Sequence, residues 1–168
     1  MRLIGLDPGL THTGWGVLDS VGNRLGFVAC GRISTRPGVA LAVRLDQLYR
    51  DLQGVLERHG ASVAAVEETV VNTNAGSSLK LGQARGVVLL AAAHAGLEVA
   101  EYASKTVKRS VVGTGSADKG QVAAMVQRLL PGSGGVEADA ADALAVALCH
   151  AHHAATAGRV AAAMRSGR

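Results

Sequence analysis

The sequence predicts an α/β fold, a five-stranded mixed sheet flanked by helices. Three observations predict it. Short apolar runs bounded by turn residues recur early, at 2–7, 13–19 and 24–33. The apolar period then changes to a helical one over 39–58. From there strand-like and helical segments alternate, as they do in a sheet with crossover helices.

Residues 2–7 are a continuous apolar run that ends in Asp7-Pro8-Gly9, where Pro lacks a donor and Gly permits a turn. A second strand follows over 13–19, with small residues alternating against Trp15 and Val17. Val21-Gly22-Asn23 turns the chain into a third strand at 24–33, and short links make the three an antiparallel meander. Over 39–58, Leu41, Leu45, Leu48, Leu52, Val55 and Leu56 recur at three-to-four spacing, and Gly60 stops this amphipathic helix. Residues 62–68 read as a buried strand ending in acid, parallel to an earlier strand after its crossover helix.

Thr69 to Ser78 is polar and small, and reads as a loop. Leu79 to Ala95 reads as a helix with Gly82 and Gly86 one turn apart. Those glycines let another backbone approach, either within the fold or from a second subunit. A fifth strand is expected over 97–102 and a short helix over 104–111. Asp118 and Gln121 have the spacing of a capping box and open a helix to Leu130. Pro131 to Gly135 breaks it, and a last helix is expected from about Ala138 to His153. We expect one domain over 1–155 and a basic, flexible tail over 156–168.

Composition narrows the classes. Aromatics are only 2%, so Ala, Val and Leu must build the core. Two cysteines, Cys30 and Cys149, lie far apart without CxxC spacing, which argues against a disulfide framework or a zinc site. The N-terminus lacks a signal-peptide pattern, and the run from Val87 to Ala95 is too short to span a bilayer, so the expected compartment is the cytoplasm, with no membrane role. The net charge of +4 is a modest basic excess, but all four lysines (Lys80, Lys105, Lys108, Lys119) fall in one middle stretch.

Four acids occupy positions that could converge. Asp7 ends the first strand and Glu67 ends the fourth, and ligands in α/β sheets gather at the carboxyl ends of such strands. Asp139 and Asp142 are three apart on the last helix, among alanines that leave little bulk in the way. Each has a plainer explanation: Asp7 as a turn residue, Glu67 and Glu68 as a solvated strand end, the aspartates as partners of a helix dipole. Together they describe something more specific. Gathered carboxylates repel and partly protonate unless a cation neutralises them. Hard divalent ions such as Mg²⁺ take such oxygen ligands together with water and phosphate, and a pair of them can drive phosphodiester hydrolysis.

The basic candidates for holding the remaining phosphates are Lys105, Lys108, Arg109 and Lys119. Lys119 stands at a helix start, where free N–H groups also favour phosphate; the alternative is a solvated lysine. Lys80 and Arg85 flank the glycine-bearing helix and could equally be surface charge. His150, His152 and His153 cannot all face one ion on a helix, and favourable charge at a helix C-terminus is their simplest role.

These residues resemble the RuvC-type Holliday junction resolvases, which have a ribonuclease H-like fold. The resemblance runs over nearly the whole chain. It is carried by Gly5-Leu6-Asp7-Pro8-Gly9, by Leu79 to Gly86 (LKLGQARG), by Val111-Val112-Gly113 leading to Asp118-Lys119, and by Ala138 to Ala145 (ADAADALA). It implies a homodimeric, Mg²⁺- or Mn²⁺-dependent endonuclease that nicks two like strands of a four-way DNA junction, with RuvA and RuvB branch-migration proteins as partners. By matching position it implies Asp7, Glu67, Asp139 and Asp142 as metal ligands, and Lys108 and Lys119 as DNA-contacting and catalytic-support residues. Val70 holds the place where the family often carries an aromatic residue useful for stacking on an unpaired base; it departs from that pattern, and an apolar wedge is the alternative there.

Three competitors remain. A sugar-kinase or actin-like ATPase shares the Asp7-x-Gly9-x-Thr11 pattern, but it needs two comparable lobes and no second such motif follows. Another ribonuclease H-like nuclease would act on hybrid duplexes or other branches. A non-catalytic junction-binding module would not need all four carboxylates, and all four are present.

Overall fold

The computed structural model describes residues 1–68 and 74–166. Strands β1 (Arg2–Asp7), β2 (His12–Val21), β3 (Arg24–Ser34), β4 (Val63–Glu68) and β5 (Glu98–Ala103) form one sheet in the order β3-β2-β1-β4-β5. The first three strands are an antiparallel meander, while β4 is parallel to both β1 and β5. Gly22, at φ 59°, makes the tight β2–β3 turn that fixes the meander's register. This is the five-stranded mixed sheet that the sequence pattern predicts.

Helices cover both faces. Helix α1 (Leu41–His59) and helix α2 (Ala75–His94) pack Leu48, Leu52 and Val88 onto Ile4, Leu6 and Val66. Helices α3 (Ser104–Val112), α4 (Lys119–Leu129) and α5 (Ala138–Ser166) pack Val107, Val126 and Leu144 onto Leu3, Leu18 and Ala65. Each fully buried Leu contributes about 1.5–3 kcal/mol. Because side chains alternate along a strand, odd positions of β1 and β4 face α5 and even positions face α1 and α2.

Glycines decide how closely α5 lies on the sheet. A Cβ on Gly5 would fall on the Ala143 carbonyl, and one on Gly14 on the Asp139 carbonyl. At Gly16 it would come within 2.6 Å of Leu144. The central strands are therefore bare of side chains where the helix crosses them, and the helix backbone rests directly on the sheet.

Two boundaries differ from the sequence pattern. Helix α2 begins at Ala75, inside the stretch that reads as a loop, because Asn74 caps it by accepting a hydrogen bond from the Ser77 amide at 3.1 Å. Helix α5 continues past His153 to Ser166. Its later residues are largely exposed, and their alanine-rich sequence supplies helix propensity without apolar patterning. No described helix is long and apolar enough to cross a membrane.

Candidate active site

Asp7 is the last residue of β1, and Leu6 is in register with Val66 of β4. The next residue on each strand is an acid, Asp7 and Glu67, and both lie on the α5 face by alternation. Glu68 points the other way and is exposed, as a solvated strand end should be. Asp7 also pairs with Gly14, over which the backbone of Asp139 sits. The first turns of α5 are thus delivered beside Asp7 by the absence of a side chain at Gly14. Asp7, Glu67 and Asp142 line one cavity of about 180 Å³ together with Ser104, Lys108 and Lys119.

The charges in this cavity are strained. The Asp7 carboxyl is pushed up to about 7, first by burial and then by the negative charges of Glu67, Asp142 and Asp139. Lys119 acts in the opposite sense. Glu67 is also raised, first by burial and with a contribution from Asp142, while a hydrogen bond from Ser104 and the charges of Lys119 and Lys108 oppose the rise. Lys119 Nζ donates to Asp142 Oδ2 at 2.9 Å, and that bond holds its ammonium above its ordinary value. Asp118 and Gln121 form the expected capping box, with Gln121 N donating to Asp118 Oδ1 at 2.8 Å, which fixes the start of α4 where Lys119 stands.

Asp139 is held differently. Arg32 Nη1 approaches Asp139 Oδ2 at 3.5 Å, and Arg32 Nε approaches Glu137 Oε2 at 3.2 Å. Arg32 is in register with Gly14, which is in register with Asp7, so the three form one row across the sheet. Sequence reasoning missed Arg32 because it sits in an unremarkable strand; only register puts it beside Asp139. Ser104 was missed too, as a hydroxyl at an ordinary helix start.

With Asp142 turned to Lys119 and Asp139 to Arg32, no three acid, His or Cys side chains stand close enough to hold an ion among the described residues. The donor set still suits a hard divalent cation. It is all carboxylate oxygen, and its central member is driven toward the neutral form by its neighbours. The positive groups that now face these carboxylates, Lys119 and Arg32, mark where positive charge is wanted.

The other candidates lie around this centre. Lys108 lines the cavity. Lys105 is exposed on the same helix, and Arg109 lines a separate cleft with Ser110 and His152. Lys80 lines a third cleft with Arg44. Arg85 is paired with Glu101, so its charge is already met. Val70 lies outside the described residues.

The histidines need a correction. They are not at a helix C-terminus, since α5 runs on beyond them. His150 Nδ1 is 2.9 Å from the Tyr102 hydroxyl, and His152 Nδ1 is 3.2 Å from Ser110 Oγ. These contacts tie α5 to β5 and α3, and burial lowers the His150 pKa. The helix dipole cannot be their purpose.

The chain matches the family model described as crossover junction endodeoxyribonuclease RuvC over residues 3–150. It is 60% identical over 162 residues to a protein of that description from Acidiphilium cryptum, covering 96% of this chain and 97% of the relative. A second relative, from Xanthobacter autotrophicus, is 57% identical over 98% of this chain and 97% of its own. Among solved structures, Thermus thermophilus RuvC in complex with Holliday junction substrate superposes with a TM-score of 0.84 at 35% identity, covering 94% of this chain and 96% of that one. The sheet order and the flanking helices are therefore ribonuclease H-like.

Proposed function

The chain belongs to the RuvC family of crossover junction endodeoxyribonucleases, and on that premise we propose that it resolves four-way (Holliday) DNA junctions in recombination and repair by paired, symmetric nicks. The observation that carries the assignment to this site is the Asp7 carboxyl, pushed up to about 7 among three other carboxylates in a basic protein. Such a group is poised to gain a cation, and the phosphodiester backbone is the substrate that meets both the cation and the surrounding lysines.

Asp7, Glu67, Asp139 and Asp142 hold the divalent ion, Mg²⁺ with Mn²⁺ as a substitute. When bound, the ion supplies an activated water and a stabilised leaving oxygen. Asp7 and Glu67 are the rigid half of the ligand set, because each is fixed by strand register. Asp139 and Asp142 are the adjustable half, because each has an alternative cationic partner. Lys119 is three-quarters exposed, so its ammonium can pass from Asp142 to the scissile phosphate at little desolvation cost. Lys108 adds positive charge to the same cavity.

Two nicks need two sites related by symmetry, which a two-fold homodimer supplies. On α2, nothing lies within 4 Å of a Cβ built at Gly82 or Gly86, so these glycines do not serve packing among the described residues. Leu79 and Leu90, on the same helical stripe, are 65% and 49% exposed. This apolar, side-chain-poor stripe suits the close approach of a second copy. RuvA and RuvB are the proposed branch-migration partners, and the cytoplasm is the proposed compartment.

The test is a labelled four-way junction incubated with the protein in Mg²⁺ or EDTA, beside Asp7→Asn. Symmetric nicks only with metal and with Asp7 intact are expected. Equal cutting in EDTA would overturn the metal chemistry, and cutting of an RNA–DNA hybrid but not of a junction would overturn the substrate.

A further inference from the structure

We propose that a cleft on the opposite side of the sheet's carboxyl end, built on Arg44 and Lys80, is a second phosphodiester-binding site that grips the DNA backbone away from the carboxylate cavity. This rests on the DNA-cleaving reading above and extends it to Arg44, which no motif picks out, beside Lys80 of the LKLGQARG motif.

The cleft has a volume of about 350 Å³ and is lined by Leu10, Thr11, Arg44, Ser77, Lys80 and Leu81. Among the described residues its lining contains no acid. The half-buried Arg44 is held entirely by neutral oxygens: Nε donates to Thr35 Oγ1 at 2.9 Å, and Nη2 donates to Thr11 Oγ1 at 3.1 Å and to the Leu10 carbonyl at 3.3 Å. Thr35 is itself buried, and its hydroxyl donates to the Leu10 carbonyl at 2.5 Å. The guanidinium is thus fixed in place without its charge being neutralised.

Some cations of this protein are treated differently, although several exposed ones, Arg24 and Arg128 among them, also have no carboxylate partner among the described residues. Arg2, Arg32, Arg50, Arg85 and Lys119 each have a carboxylate partner. Among the described residues no carboxylate pairs with Arg44 or with the exposed Lys80. A preorganised guanidinium fork beside a free ammonium, with a threonine hydroxyl between elements, matches the oxygens of a phosphodiester.

Position supports the same ligand. Leu10 and Thr11 follow Asp7-Pro8-Gly9 directly. Four residues of chain span at most about 14 Å, and the turn between β1 and β2 shortens that reach, so the cleft lies within a few nucleotides of Asp7 at about 3.4 Å rise each. The carboxylate cavity opens on the α3–α4–α5 side, whereas Leu10 packs with the α1–α2 core. The two sites therefore bracket the end of the sheet, and a strand crossing it is held on both sides of Asp7.

Methylphosphonate substitution locates the contact. In EDTA, junction affinity is measured for the parent and for Lys80→Gln, with single neutral methylphosphonates placed in turn on either side of the cleavage position. We expect Lys80→Gln to weaken binding several-fold and to make the slope of log affinity against log salt shallower by about 0.9 for each phosphate that is no longer neutralised. We also expect it to be insensitive to one methylphosphonate that weakens the parent. Lys80→Arg should restore both affinity and sensitivity, and Arg44→Lys, which keeps charge but loses the fork, should show the same positional insensitivity in part. Unchanged affinity and salt slope in Lys80→Gln, or losses that simply add at every phosphate, would overturn the inference while leaving the family activity standing. Failure of the parent to bind a junction would overturn both.

Discussion

The Asp7 carboxyl titrates near 7 in the folded chain, whereas its ordinary value is 3.8. The sign of the resulting stability change follows. Between those two values the folded state keeps a proton that the unfolded state has lost. The associated stability is complete below the unfolded pKa and is lost as pH rises through the folded pKa. Every tenfold change in proton affinity corresponds to about 1.4 kcal/mol, so the effect is on the order of a few kcal/mol. In EDTA, the melting temperature of the parent relative to Asp7→Asn should fall as pH rises from about 4 to about 7. Saturating Mg²⁺ should remove that fall, because a bound cation favours the ionised carboxylate. Identical pH profiles for the two proteins would show that Asp7 is not strained. Lys119→Met should raise the pKa of both Asp7 and Glu67, since Lys119 opposes both rises; the rising limb of the nicking pH profile would then move to higher pH, with a lower plateau. At this scale the sequence is informative wherever a strand end is involved. Asp7 and Glu67 stand out because each closes an apolar run. Arg32 could not, since its importance depends on which residue of a neighbouring strand lies opposite it.

Helix α5 shows what an element's sequence does and does not reveal. Its start is legible from ADAADALA, but its end is not, because alanine-rich helix continues past His153 with no apolar stripe to read. The histidines mislead for the same reason: their role depends on where the helix stops. Glycines are legible as close-approach residues only in part. Those on β1 and β2 receive α5, while Gly82 and Gly86 on α2 receive nothing among the described residues. The two sets should respond oppositely to substitution. Gly14→Ala should cost about 1–3 kcal/mol by overpacking and should abolish nicking even at saturating metal, because the displaced segment carries Asp139. Gly86→Leu should raise the stability of the single chain by roughly 0.8 kcal/mol from helix propensity. Thermal melting at low concentration checks the sign in each case. A stable Gly14→Ala with normal nicking would mean that α5 need not rest on the bare strand.

On the scale of the whole molecule, topology is the most legible feature, because a meander followed by crossover helices leaves few ways to order five strands. The proposed assembly is less so, since Gly82 and Gly86 mark a close approach in sequence without saying whether it comes from within the fold or from a second copy. The stripe of Leu79, Gly82, Gly86 and Leu90 on α2 is the surface proposed for that assembly, and it gives a prediction that separates chemistry from symmetry. If each protomer cuts one strand from its own carboxylate set, a heterodimer of parent and Asp7→Asn retains one working site. Acting on a cruciform in a supercoiled plasmid, the parent dimer should yield linear DNA by two nicks within one binding event. The heterodimer, purified through two different affinity tags, should yield nicked circles. Gly86→Leu, which keeps its carboxylates but weakens association, should also shift the product toward nicked circles, and raising its concentration should restore linear product. Linear product from the heterodimer at the parent rate would show that one site makes both cuts, and the dimer would then be needed for something other than pairing the nicks.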